Sequence, residues 1–165
     1  MANPKDIQFF LGSNTKHGFI SLFEQLRDPA NDCRLYILKG GPGSGKSSLM
    51  RRIAKECEIH GHRIEYIPCA SDPNSLDAIT DYDAGISVMD GTAPHTFDPK
   101  YPGAYDSIID LGEAWDWKEL SKNKKRIIEL NDVIASYHDR ATSCIKAAAE
   151  LFDANMTLAK KYVNS

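Results

Sequence analysis

The stretch Leu35-Tyr36-Ile37-Leu38-Lys39-Gly40-Gly41-Pro42-Gly43-Ser44-Gly45-Lys46-Ser47-Ser48-Leu49-Met50 constrains this chain more than any other. A short apolar run leads into a glycine-rich turn, then Lys-Ser, then the start of a helical pattern. Gly40, Gly45, Lys46 and Ser47 fit the spacing G-x-x-x-x-G-K-[ST] of a phosphate-binding loop. A polyphosphate needs several N–H donors converging on it, so the backbone must curl tightly and approach closely. Glycine permits both, having no Cβ and tolerating positive φ. The helix that follows adds unpaired N–H groups and its positive dipole end. In such a loop Gly41, Pro42, Gly43, Ser44, Gly45, Lys46, Ser47 and Ser48 form the nucleotide cradle. Lys46 reaches the β- and γ-phosphates, and the Ser47 hydroxyl ligates Mg²⁺.

The chain has 165 residues, enough for one domain with its own core. With 42% apolar residues and a net charge of −3 it is neither a disordered polyelectrolyte nor a globally basic nucleic-acid binder. No apolar stretch has the length of a membrane span. The beginning, Met1 to Asp6, lacks the apolar core of an export signal. Cys33, Cys57, Cys69 and Cys144 are scattered without a C-x-x-C, which fits reduced thiols in the cytoplasm.

Around the loop the reading is α/β. Residues 7–11 are an extended piece, Ser13-Asn14-Thr15 a turn, and Phe19, Leu22, Phe23 and Leu26 give helical spacing over 18–26, ended by Asp28-Pro29. Residues 33–39 form a strand buried on both faces. A helix over 46–60 buries Leu49, Met50, Ile53 and Cys57, and Gly61 stops it. Residues 63–69 form a second strand. Asp72 and Pro73 read as the cap and first residue of a further helix, with Asp72 alternatively a substrate or Mg²⁺-water contact. Cys57, His60 and His62 have the look of metal ligands, but the sequence supplies no evident fourth, so a buried thiol and two surface histidines are expected.

The run Ile86-Ser87-Val88-Met89-Asp90 is the second chemical signal, an apolar strand ending in an acid. Beside a phosphate loop such an acid holds Mg²⁺ through water. Gly91 follows it where many vigorous ATPases carry a glutamate, which predicts slow hydrolysis or a base from elsewhere. Residues 91–103 form a long Pro/Gly loop, of a length that tends to be functional or mobile. In it Thr92 is a candidate γ-phosphate sensor and His95 a candidate base or substrate contact. Residues 105–111 are a short strand or helix.

From Trp117 onward there is neither Gly nor Pro. Ile127, Leu130, Ile134, Tyr137, Ala141, Cys144, Ala148, Leu151, Asn155, Leu158 and Tyr162 alternate spacings of three and four, a heptad seam. One unbroken helix would run about 65–70 Å. It is expected either to turn back near 153–156 or to pair with another chain. Lys118, Lys122, Lys124, Lys125 and Arg126 read as a solvated face.

The stretches 10–15, 38–48, 71–77, 89–95 and 98–103, above all Asp90-Gly91-Thr92-Ala93-Pro94-His95, resemble a family of bacterial P-loop ATPase-like proteins. The resemblance implies ATP binding and two P-loop halves in tandem, of which this chain matches the N-terminal one. The combined expectation is a three-layer α/β P-loop core with a mostly parallel sheet over residues 1–116, and a helical, coiled-coil-like extension over 117–165. It is expected to bind ATP and Mg²⁺ as a slow or partner-stimulated ATPase, with Lys46, Asp90 and His95 catalytic and Ser47 and Asp90 on the metal. The rival expectations are a small-molecule or nucleoside kinase and a nucleotide-dependent switch. A second P-loop half or another copy joined through the C-terminal helices is the expected partner. GTP is disfavoured because Asn123-Lys124-Lys125-Arg126 lacks the acid of N-K-x-D.

Overall fold

The computed structural model describes residues 7–27, 33–93 and 96–163, excluding the side chain of Val163. The chain divides into two compact units, Met1–Ser13 with Ser21–Trp115, and Asn14–Ile20 with Asp116–Ser165.

The first unit is built on a six-stranded sheet. In chain order its strands are β1 (Ile7–Gln8), β4 (Arg34–Lys39), β5 (Ile64–Pro68), β6 (Leu76–Asp81), β7 (Ile86–Asp90) and β8 (Asp106–Asp110). Their spatial order is β1-β5-β6-β7-β4-β8. The β1–β5, β7–β4 and β4–β8 pairs are parallel, whereas β5–β6 and β6–β7 are antiparallel. β4 therefore sits between two parallel neighbours, and its apolar run is buried at Leu35, Ile37 and Leu38. Alternation along a strand sends successive side chains to opposite faces. Tyr36 and Leu38 face helix α1 (Lys46–Ile59), where Met50, Ala54, Ile64, Leu76, Ile79 and Val88 close the core. Burying each large apolar side chain contributes roughly 1.5–3 kcal/mol.

α1 starts at Lys46 as its pattern predicts and ends one residue early, at Ile59, with His60 as its cap. The chain leaves it through Gly61 at φ 85°, a backbone conformation that favours glycine. It is the α-helix of this unit among the described residues, so the expected three layers reduce to one helical layer. On the other face Gly91 lies close against Ile37.

Two expectations of local structure are corrected. Residues 18–26 are not a helix: β2 (Gly12–Thr15) and β3 (Gly18–Ser21) form a hairpin, followed by a 3₁₀ turn at Phe23–Arg27. Gly18 at φ 101° serves the turn that the apolar spacing concealed. Ser13-Asn14-Thr15 is accordingly strand, and Asp28-Pro29 lies outside the described residues. Residues 71–76 do not start a helix. Asp72 accepts from the Asn74 N–H at 3.1 Å and closes a turn into β6, buried along its whole length. Two strands rather than one thus separate α1 from β7. Residues 96–103, expected as loop, are held at several points. Lys39 Nζ donates to the Gly91 and Phe97 carbonyls and to Asp98. Arg27 stacks on Phe97, 4.1 Å from the ring centre, and donates to the Asp98 carbonyl, while Asp106 accepts from the Lys100 and Tyr101 N–H groups.

In the second unit Asp116 caps α2 (Trp117–Lys122) by accepting from the Lys118 and Glu119 N–H groups. Asn123 separates it from α3 (Lys124–Val163), one uninterrupted helix of 40 residues, about 60 Å long. It does not turn back near 153–156. Along the seam Ile127, Leu130, Ile134, Tyr137, Leu151, Leu158 and Tyr162 are exposed. Lys16 pairs with Asp153. No helix among the described residues is long and apolar enough to cross a membrane.

Candidate functional site

The C-terminal end of β4 runs straight into the glycine loop. Gly43 and Gly45 take φ of 78° and 90°, and the Ser44 N–H donates to the Gly41 carbonyl, curling residues 40–45. A Cβ on Gly40 would come within 2.6 Å of Ser44 Oγ, so the turn is as tight as its composition demands. The Leu49 N–H then donates to the Gly45 carbonyl and α1 begins. Its N-terminus carries no side-chain cap. The first turn of the helix is therefore left to a ligand or solvent.

Lys46 is 8% exposed and lies back along the loop. Its Nζ donates to the Gly40 and Gly41 carbonyls at 2.6 and 3.0 Å and stands 3.5 Å from Asp90 Oδ2. Asp90 ends β7 beside Leu38 of β4, and that register brings the acid to the loop. Its Oδ1 accepts from the Thr92 N–H and hydroxyl at 2.9 and 2.5 Å. Thr92 thus caps Asp90. The Ser47 hydroxyl oxygen accepts from the Leu76 N–H at 3.0 Å, tying the helix start to the start of β6.

These groups line one cavity of about 430 Å³. Pro42 to Ser48 form one wall, and Cys69, Asp72, Ser75, Leu76, Asp77 and Asp90 the other. The structure thus brings Pro42, Gly43, Ser44, Gly45, Lys46, Ser47, Ser48 and Asp90 together, with Gly41 contributing its carbonyl to Lys46. His95 lies outside the described residues. Asp72 stands on the wall as a turn residue.

Sequence reasoning misses Asp77, because Asp72-Pro73 just before it spells a helix start. Asp77 is 3% exposed. The β5–β6 register runs from Ile67 opposite Ala78 to Pro68 opposite Leu76 and skips Asp77. Such a bulge re-aims the side chain of its extra residue. Burial, and to a smaller extent the nearby Asp77 carboxylate, raises the pKa of the Cys69 thiol against the opposing pull of the Ser71 and Asp72 backbone. One signal was available: an acid inside Leu76-Asp77-Ala78-Ile79, an otherwise apolar run.

At the opposite end of the sheet Cys57, His62 and Asp81 place their ligand atoms within 4.8 Å of one another. The third group, absent from the Cys57-x-x-His60-x-His62 spacing, comes from the end of β6. The three already satisfy one another. Asp81 Oδ1 accepts from the Ala84 N–H at 2.9 Å, and Oδ2 lies 2.8 Å from His62 Nδ1. Burial alone would raise the Asp81 pKa, but the Ala84 N–H, the imidazole and the Cys57 thiol together hold it below the usual carboxylate value. Burial and the same carboxylate push Cys57 up to about 11.

The family model described as Nephrocystin 3, N-terminal matches residues 20–82. Those residues are similar to that family. The matched stretch runs from β3 to just past β6 and includes the whole glycine loop and Asp77, but stops short of Asp90. No curated protein and no solved structure matches the chain.

Proposed function

We propose that this chain binds ATP with Mg²⁺ in the cavity of its glycine loop and hydrolyses it slowly or on stimulation by a partner. The observation that carries this reading is the convergence of an uncapped helix start, Lys46, Ser47 and Asp90 on a single cavity. Backbone N–H groups of Gly41–Ser48 supply the anion donors. Lys46 exchanges its loop carbonyls for phosphate oxygens and neutralises developing charge. Ser47 and Asp90 hold Mg²⁺, which neutralises charge on the phosphates when bound. With these parts the core is of the P-loop type.

Calorimetry of ATP binding to Lys46→Ala tests it. The expected result is a loss of affinity of at least tenfold, and unchanged affinity removes the site. Asp90→Asn is expected to weaken the dependence of binding on Mg²⁺.

One observation favours the kinase reading as second choice. A neighbouring cavity of about 320 Å³, lined by Gln8, Arg51, Glu58, Tyr66, Pro68, Pro73 and Leu76, shares Leu76 with the loop cavity and offers room for an acceptor. Transfer of labelled phosphate to metabolites rather than water would favour it. A switch that works by ordering the Pro-rich loop has less support, since residues 96–101 are already held by Lys39, Arg27 and Asp106. The exposed seam of α3 is the surface on which a second P-loop half or another copy would pack, and sedimentation at rising concentration tests the second of these.

A further inference from the structure

We propose that Asp77 is the general base of this site, the carboxylate that receives the proton of the oxygen attacking the γ-phosphate. The inference rests on the ATP reading above and goes beyond it by naming the acid that activates the nucleophile.

The position directly after Asp90 cannot supply that acid. A Cβ on Gly91 would lie 2.3 Å from Ile37 Cγ2 and 3.0 Å from the Phe97 carbonyl oxygen. Any side chain there is shut out by the sheet and by the anchored loop. Asp90 itself is engaged, with Oδ1 taken by Thr92 and Oδ2 beside Lys46. In the proposed role its charge serves the metal. A base must therefore come from another element.

β6 supplies one. It is the strand on the far side of β7 from β4, and its Ala78 pairs with Met89, next to Asp90. Asp77 is the residue beyond that pair, on the side of the loop. The bulge at Ile67/Pro68 skips this one residue, and its side chain lines the loop cavity although the residue is 3% exposed. The tether from the Leu76 N–H to Ser47 Oγ fixes the neighbouring backbone against the hydroxyl proposed to hold the metal. A carboxylate held on a cavity wall, rather than on a loop, meets the requirement that a base be positioned before the reaction.

The attacking oxygen forms a bond to the γ-phosphorus while the bond from that phosphorus to the β–γ bridging oxygen breaks. The nucleophile's proton passes to Asp77 and then to solvent. The bridging oxygen leaves as a terminal oxygen of ADP, its charge met by Lys46. With water as nucleophile the products are ADP and inorganic phosphate.

The test uses the full chain with ATP and Mg²⁺ under single-turnover conditions. Asp77→Asn is expected to bind ATP within about threefold of wild type while phosphate release falls by about 10²–10⁴-fold. The acidic limb of the wild-type rate profile is expected to disappear with it. Wild-type turnover in Asp77→Asn overturns the proposal and leaves the ATP site standing. So does a wild-type chain that binds ATP in a Lys46-dependent manner yet releases no phosphate. A wild-type chain that does not bind ATP removes both. Should Asp77→Asn not fold, Asp77→Glu decides: it keeps a carboxylate and is expected to keep the acidic limb, and a pH-independent rate in that variant overturns the assignment.

Discussion

Strand β6 carries a buried carboxylate near each end, and the two live differently. Asp77 and Asp81 are 3% and 1% exposed, and each has a cysteine close by, Cys69 and Cys57 respectively. At Asp81 the hairpin N–H of Ala84 and the ring of His62 complete the shell, and the chain has closed around the charge. At Asp77 the strand bulges and the side chain forms part of a cavity wall with the glycine loop. Burying a charge is expensive unless neighbours repay it. Repayment by the fold itself marks a structural acid, whereas on our proposal the acid on the cavity wall beside the glycine loop serves what enters the cavity.

The largest effects should separate the two acids by kind of damage. Asp81→Ala leaves His62 and the Ala84 N–H without their partner and is expected to cost about 1–3 kcal/mol in urea unfolding. ATP affinity, measured at a temperature where the variant is folded, should stay unchanged. Asp77→Asn should show the reverse, losing turnover with less than about 1 kcal/mol of stability. If Asp77→Asn proves the more destabilising of the two, the division between structural and functional acid fails.

A pair of glycines sharpens the contrast between the sheet's two ends. Gly91→Ala drives a methyl group against Ile37 and the Phe97 carbonyl, and is expected to cost about 1–3 kcal/mol. Gly61→Ala, at φ 85° with nothing within 4 Å of the new methyl, should cost only the backbone strain of about 1–2 kcal/mol. The same urea titration reads both. Equal costs at the low end would mean that Ile37 and Phe97 give way, and that a side chain after Asp90 is sterically possible after all.

Much of this geometry was legible beforehand where the signal is local. The glycine loop, α1 and the strands on either side of it follow from spacing, since a glycine-rich turn spelled this way is preceded by a buried strand and followed by a helix. Asp90 was legible for the same reason. The antiparallel pair of partners for β6 was not, because Asp72-Pro73 has the same spelling as a helix cap and as a turn. Only pairing partners distant in sequence, Ile67 with Ala78 and Ala78 with Met89, decide between them. Asp77 disappeared with that choice. The hairpin at 12–21 was hidden likewise, since Phe19, Leu22, Phe23 and Leu26 satisfy helical spacing although a glycine turn at Gly18 governs the backbone.

The smallest effects lie in the pH dependence of stability, where Asp81 and Cys57 act at opposite ends of the scale. Asp81 has its folded pKa below the ordinary 3.8. The folded state then binds its proton less readily than the unfolded chain does. Its stabilising contribution is complete above 3.8 and drains away as the pH falls through the lower folded value. Cys57 is the opposite case, raised from 9.0 to about 11. The folded state holds that proton more tightly, so its contribution is complete below pH 9 and is lost as the pH rises toward 11. Cys57→Ala should therefore flatten the alkaline loss of stability between pH 9 and 11, read as unfolding midpoints in urea at each pH, and leave the acid side in place. Asp81→Asn should flatten both limbs, because the carboxylate is also one of the groups that keep the thiol protonated. An alkaline limb that survives in Asp81→Asn at full height would assign the Cys57 shift to burial alone, and would uncouple the thiol from the shell that distinguishes this end of β6 from the other.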